Sequence, residues 1–218
     1  MNEATVHALI DDIGALLLFS MILILAADQV YRAIYAVAAQ SLLIAVAAGV
    51  LAMATGNPDL WVIAGITLVV KAMVLPWVLH RVVQRMNVRR EVEPVIPVIT
   101  TLAVAVGIVV MSFHLSASLG AVRQAITGNA LPVGISLILL GVLVMASRKK
   151  ALTQMVGLFA SENGIFFTAM AVSKGMPLII EIGVILDVIL AALVMAILVL
   201  RVRSTVDADI ADLDRLRG

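Results

Sequence analysis

Seven stretches of this chain run for close to twenty residues almost without charge, and that repetition leaves few folds open. A helix rises about 1.5 Å per residue, so crossing a hydrocarbon core of roughly 30 Å takes about 20 apolar residues. The runs fall at about 9–27, 33–55, 60–79, 95–115, 131–147, 151–173 and 178–200. Lipid offers no hydrogen bonds, so each segment must satisfy its own backbone and become helical. The expected fold is an all-α membrane protein, a seven-transmembrane helix bundle. Composition agrees: 63% of residues are hydrophobic, 13% are charged and the mean hydropathy is +1.15, whereas soluble chains average about half and a quarter. Asp11 and Asp12 precede the first apolar stretch where a cleaved signal would carry positive charge, so that run is expected to stay as a helix.

Lys and Arg set the orientation. Arg32, Arg81, Arg85, Arg89, Arg90, Arg148, Lys149, Lys150, Arg201, Arg203, Arg215 and Arg217 all fall on one side of the expected membrane, against Arg123 and Lys174 on the other. This places the N-terminus outside and the C-terminus in the cytoplasm, and it requires an odd number of spans. The organisation is one integral membrane domain over 1–218, with a four-span part (1–130), a three-helix part (131–203) and a cytoplasmic tail (204–218). A loop from His80 to Glu93 and a tight turn from Ser147 to Lys150 complete the cytoplasmic face. In the tail, Ile210, Leu213 and Leu216 alternate with Asp207, Asp209, Asp212 and Asp214, a pattern that suits either a solvated end or a short amphipathic docking helix.

With no cysteine, thiolate metal sites, disulfides and thiol nucleophiles are excluded. His7, His80 and His114 lie far apart and show no metal-ligand spacing, and no phosphate-binding glycine loop or nucleophile elbow is present. The chain is expected to carry out no covalent chemistry itself.

Three charges interrupt the apolar runs: Lys71, Glu162 and Asp187. From the helix rise each lies ~14–17 Å from a span end, near the bilayer centre, while Glu181 lies only about 5 Å inside the outer boundary. A charge at that depth costs about 3 kcal/mol on insertion scales and by default marks an ion or substrate path. Burial moves carboxylates and lysine toward neutrality from opposite sides, as a proton relay requires. The competing reading is a static ion pair, Lys71 to Glu162 or to Asp187, that clamps the bundle.

Other features sit around these charges. Pro76 lacks an N–H and is expected to free the carbonyl of Ala72 and kink span three beside Lys71. Gly157, Ser161, Gly164 and Thr168 form a small-residue stripe on span six, read chiefly as a packing face. Asn163 can donate to a carboxylate or hold a water, and Gln40 in span two reads as an interhelical hydrogen bond. His114, near the outer end of span four, ranks low as a relay member. Trp61, Trp77, Tyr31 and Tyr35 fit interfacial anchors. Spans one to three and five to seven echo each other, each ending in helices with a mid-membrane polar residue and then a charge, Gln40 and Lys71, then Glu162 and Asp187, the pattern a parallel duplication would leave.

The segments YRAIYAVAAQSLL (31–43), KAMVLPWVL (71–79), QMVGLFASENG (154–164) and IEIGVILDVILAALVM (180–195) resemble hydrogenase-4 component E, a membrane subunit of formate hydrogenlyase-type energy-converting hydrogenases. The last three spans are also similar to the small three-helix subunit K of respiratory complex I and to its counterpart in multisubunit sodium/proton antiporters. In subunit K the acid follows a Gly-Leu pair directly, whereas here Gly157-Leu158 precedes Phe159 and the acid comes at Glu162, about one turn later.

The resemblance implies a non-catalytic subunit in the membrane arm of a proton- or sodium-translocating oxidoreductase complex of a prokaryotic cytoplasmic membrane. Its partners would be antiporter-like subunits and a peripheral hydrogenase module holding nickel-iron and iron–sulfur centres, none of which this chain binds. Its own contribution would be an ion path through Lys71, Glu162 and Asp187 with Glu181 as the outer contact. The alternative is a structural adaptor joining the hydrogenase-side membrane subunit to antiporter-like ones. An autonomous small transporter is a third possibility, disfavoured by the few polar groups on offer.

Overall fold

A computed structural model describes residues 2–85, 94–118 and 129–173. The expected seventh span at 178–200, with Glu181, Asp187 and the tail, lies outside the described residues. Within them the chain is all helical: α1 Glu3–Ala26, α2 Val30–Thr55, α3 Pro58–Ile66, a π-helix Thr67–Val74, α4 Leu75–Arg85, α5 Val98–Ser118, α6 Ala130–Ser147 and α7 Ala151–Ser173. Among the described residues, α1, α2, Pro58–Arg81, α5 and α6 are long and apolar enough to cross a membrane. This is a helical membrane protein. α7 carries Glu162 and Asn163 in its middle.

Local chemistry sets the joints. At the end of α2, Gly56 adopts a left-handed φ of 68° and returns its N–H to Ala52 O, a conformation glycine reaches without the usual Cβ penalty. Asn57 then caps α3, its Oδ1 accepting from Asp59 N at 3.0 Å, and Pro58 fills the first helical position, where no N–H is needed. Three residues thus reverse the chain. Just before α5, Val95 N–H donates to Ser147 O at 2.9 Å, tying the start of that helix to the end of α6.

The core is formed by α1, α2, α6 and α7, with α1 packed on α2 and α6, and α7 packed on α2 and α6. The segment α3–π–α4 lies against α2, and α5 lies against α6 and α1. Every residue of α7 from Phe159 to Gly164 is buried, so this stretch of the helix is enclosed by protein. The outer helix α5 turns Thr101, Ala105, Ser112 and Ser116 inward and leaves Ile99, Val106 and Val110 exposed. Apolar contact drives no association in lipid, where close backbone approach and interhelical hydrogen bonds do.

The pairing of α6 with α7 shows that approach most clearly. A Cβ added to Gly141 would lie 2.5 Å from Ser161 N and 2.6 Å from Gly157 O; one added to Gly157 would lie 2.7 Å from Gly141 O; one added to Gly164 would lie 2.7 Å from Ile138 N. Ser161 Oγ donates across the seam to Ile138 O at 2.9 Å. The stripe Gly157, Ser161, Gly164 and Thr168 is therefore a packing face, matched by Gly134 and Gly141 on the facing helix.

One sequence expectation is revised here. The segment from His80 remains helical through Arg85, so the loop begins later than its polarity suggests. Span three responds to Pro76 with π-helix ahead of the proline, the Leu75 N–H reaching back to Val70 O. In α register the proline ring presses on the carbonyl four residues back; a wider turn ahead of it relieves that contact.

Candidate functional site: a buried lysine–glutamate pair in a polar cluster

Lys71 sits within the π-helix, and its side chain crosses to α7. Its Nζ lies 3.3 Å from Glu162 Oε1, with the two side chains only 5% and 2% exposed. The same ammonium lies 4.4 Å from the centroid of the Phe166 ring. Phe166 follows Glu162 by one helical turn, so both present the same face of α7 to the lysine. An aromatic face adds to a desolvated cation about 2 kcal/mol beside its ionic partner.

Asn163, the next residue on α7, is turned toward α2. Its Nδ2 donates to Gln40 Oε1 at 3.2 Å and to Ser41 Oγ at 3.1 Å. Gln40 in turn directs Nε2 toward Met21 Sδ on α1 at 3.8 Å. All of these side chains are buried. The side-chain oxygen of Asn163, Oδ1, is also buried and has no hydrogen-bond partner among the described residues. The cluster thus links α1, α2, the π-helix and α7.

No protein-family model and no solved structure matches the chain. It is 34% identical over 151 residues to the uncharacterized protein Rv0085 of Mycobacterium tuberculosis (strain ATCC 25618 / H37Rv), an alignment covering 69% of this chain and 68% of that protein. The chain belongs to the Rv0085 family.

In this member of the Rv0085 family, four residues singled out from sequence (Lys71, Glu162, Asn163 and Gln40) meet in one buried cluster. His114 does not join them: it is exposed on α5. Asp187 and Glu181 lie outside the described residues. Two further participants escape a reading of sequence alone. Ser41 adjoins Gln40 in the chain, and Phe166 sits at the i+4 position from Glu162, a spacing that marks it as a partner of whatever faces the acid. Among the described residues no group of three or more His, Cys, Asp or Glu gathers as a metal site.

Arg148 is a further departure. The sequence reads it only as part of a basic turn, yet its side chain is buried and Nη2 donates to Leu25 O at 2.5 Å, satisfying a carbonyl in the last turn of α1. Gln154 Nε2 donates to Arg148 O at 2.9 Å and holds the turn from the other side. Burial lowers the pKa of the guanidinium from its ordinary value, and arginine nevertheless stays charged at any physiological pH. At the same end of the molecule as Arg81, the His80 ring lies 4.8 Å from Tyr31 and 6.3 Å from Tyr35, and its Nε2 meets Gln84 Nε2 at 2.9 Å. Both tyrosine rings thus face a histidine of α4.

Proposed function

We propose that this chain is a non-catalytic subunit in the membrane arm of a complex I-like energy-converting hydrogenase, seven-spanning, with its N-terminus outside and its C-terminus in the cytoplasm of a prokaryotic cell. In that role the Lys71–Glu162 pair is the central station of an ion path, continued by Asp187 and opened to the outer side by Glu181. The observation that carries this reading is the ammonium–carboxylate contact of 3.3 Å between two buried side chains, bordered by the polar cluster of Gln40, Ser41 and Asn163. An ionisable pair in such surroundings can exchange a proton internally without creating net charge, and its neighbours can hydrogen-bond the groups on either side. Antiporter-like subunits and a peripheral hydrogenase module would be the partners, with all redox centres in the latter.

The closeness of the pair also supports a second reading, in which the two charges only clamp α7 to the π-helix and the chain is an adaptor between other membrane subunits. Glu162→Gln in the intact complex separates the two. The ion-path reading expects an assembled complex that still transfers electrons but moves several-fold fewer ions per turnover, measured as vesicle acidification or membrane potential. Normal ion movement in an assembled E162Q complex would leave the adaptor.

A further inference from the structure

A buried carboxylate in a membrane bundle can serve either a proton or a sodium ion, and the two need different surroundings. Hard cations bind through several oxygen ligands that together replace water. A proton needs only one ionisable group and a neighbour able to exchange charge with it. At Glu162 the position beside the carboxylate where a mobile cation would sit is held by a tethered one, since Lys71 Nζ lies 3.3 Å from Oε1. That ammonium is held from a second direction by the Phe166 ring at 4.4 Å. Of the neutral oxygens in the polar cluster, Gln40 Oε1 and Ser41 Oγ each already accept one hydrogen bond, from Asn163 Nδ2, and Asn163 Oδ1 accepts none among the described residues. From this geometry we infer that the ion handled at Glu162 is a proton, and that the ammonium of Lys71 excludes sodium from the site.

This inference rests on the ion-path reading and sharpens it. Passing a proton from Lys71 Nζ to Glu162 Oε1 turns ammonium and carboxylate into amine and carboxylic acid, with both atoms already within 3.3 Å and the net charge of the pair unchanged. Binding sodium instead would bring a second cation against the first or require the lysine to withdraw from both the carboxylate and the ring. The Coulomb repulsion between two such cations is strong in a medium of low dielectric.

The experiment uses inverted membrane vesicles or proteoliposomes holding the intact complex, energised by its own electron transfer. Lumen acidification and radiosodium uptake are followed while sodium chloride replaces choline chloride. Acidification should be the same in both salts, and any sodium uptake should disappear with a protonophore. In E162Q acidification should fall several-fold in both salts. Acidification that requires sodium, or sodium uptake that survives a protonophore and is lost in E162Q, overturns the proton assignment and leaves the ion path standing. Unchanged acidification in an assembled E162Q complex overturns the path and the assignment together. The sodium titration of the parent complex needs no variant, so it decides the ion even where E162Q fails to assemble.

Discussion

The Lys71 ammonium meets the Glu162 carboxylate at 3.3 Å, and Phe166, one turn along α7, stacks its ring against the same nitrogen. A lysine so held is positioned by the helix that carries it, and that helix is unusual: it is π-helical across Thr67–Val74, directly ahead of Pro76. Sequence, backbone register and ionic contact form one chain of cause.

Pro76→Ala restores an N–H and removes the ring, so the segment should relax toward α register and carry Lys71 out of alignment with Glu162. The chain has no cysteine, which allows clean spin labels at Met73 and Ile165, both exposed. The distance between the labels should shift in P76A, and ion movement should fall, as is expected for Glu162→Gln. An unchanged distance with full ion movement would remove Pro76 from the account.

The α6–α7 seam should tolerate no added methyl. In Gly141→Ala or Gly157→Ala the new Cβ meets backbone within 2.5–2.7 Å, and backbone cannot swing aside as a flexible side chain can. Forced overpacking of this kind costs about 1–3 kcal/mol, to be read as a lower thermal unfolding midpoint in detergent. Gly107→Ala on α5, with nothing within 4 Å of its Cβ, should be neutral or stabilise by up to about 1 kcal/mol.

Arg148 is expected to matter for stability rather than for topology alone. Arg148→Ala abandons the bond to Leu25 O, a charge-assisted hydrogen bond of a class that contributes about 1.5–3 kcal/mol. Arg148→Lys should recover only part of it, since an ammonium lacks the planar fork. The exposed neighbour Lys149 should tolerate alanine within about 0.5 kcal/mol. Thermal melts of the three variants side by side check the ranking.

Much of the helical framework is legible in hydropathy, because the length of an apolar run is dictated by the bilayer. The runs 33–55, 131–147 and 151–173 correspond to Val30–Thr55, Ala130–Ser147 and Ala151–Ser173. The start of α1 at Glu3 is not legible this way: polar residues extend a helix past the hydrocarbon without any hydropathic mark. Lys71, Glu162, Gln40 and Asn163 stand out singly as polar residues at depth, but their partners are set by how α7 passes between α2 and α6, which no one-dimensional pattern encodes. Sequence leaves Lys71 a choice of acids, and helix packing brings Glu162 to it. The π register is hidden for a similar reason, since Pro76 announces a disturbance without saying which hydrogen-bond spacing relieves it. Arg148 misleads because a basic residue in a short turn looks solvated until the neighbouring helix end is in place.

The most direct test removes both charges at once. Deleting one member of a buried pair strands the other at about 3–5 kcal/mol, whereas replacing both with neutral groups of similar size strands neither. In the Lys71→Met/Glu162→Gln double variant the complex should therefore assemble about as well as the parent, and electron transfer should continue. Proton movement across the vesicle membrane, measured per electron transferred, should nevertheless drop several-fold. A double variant that assembles and pumps like the parent would show that the pair only fastens helices together, contradicting its role as a proton station.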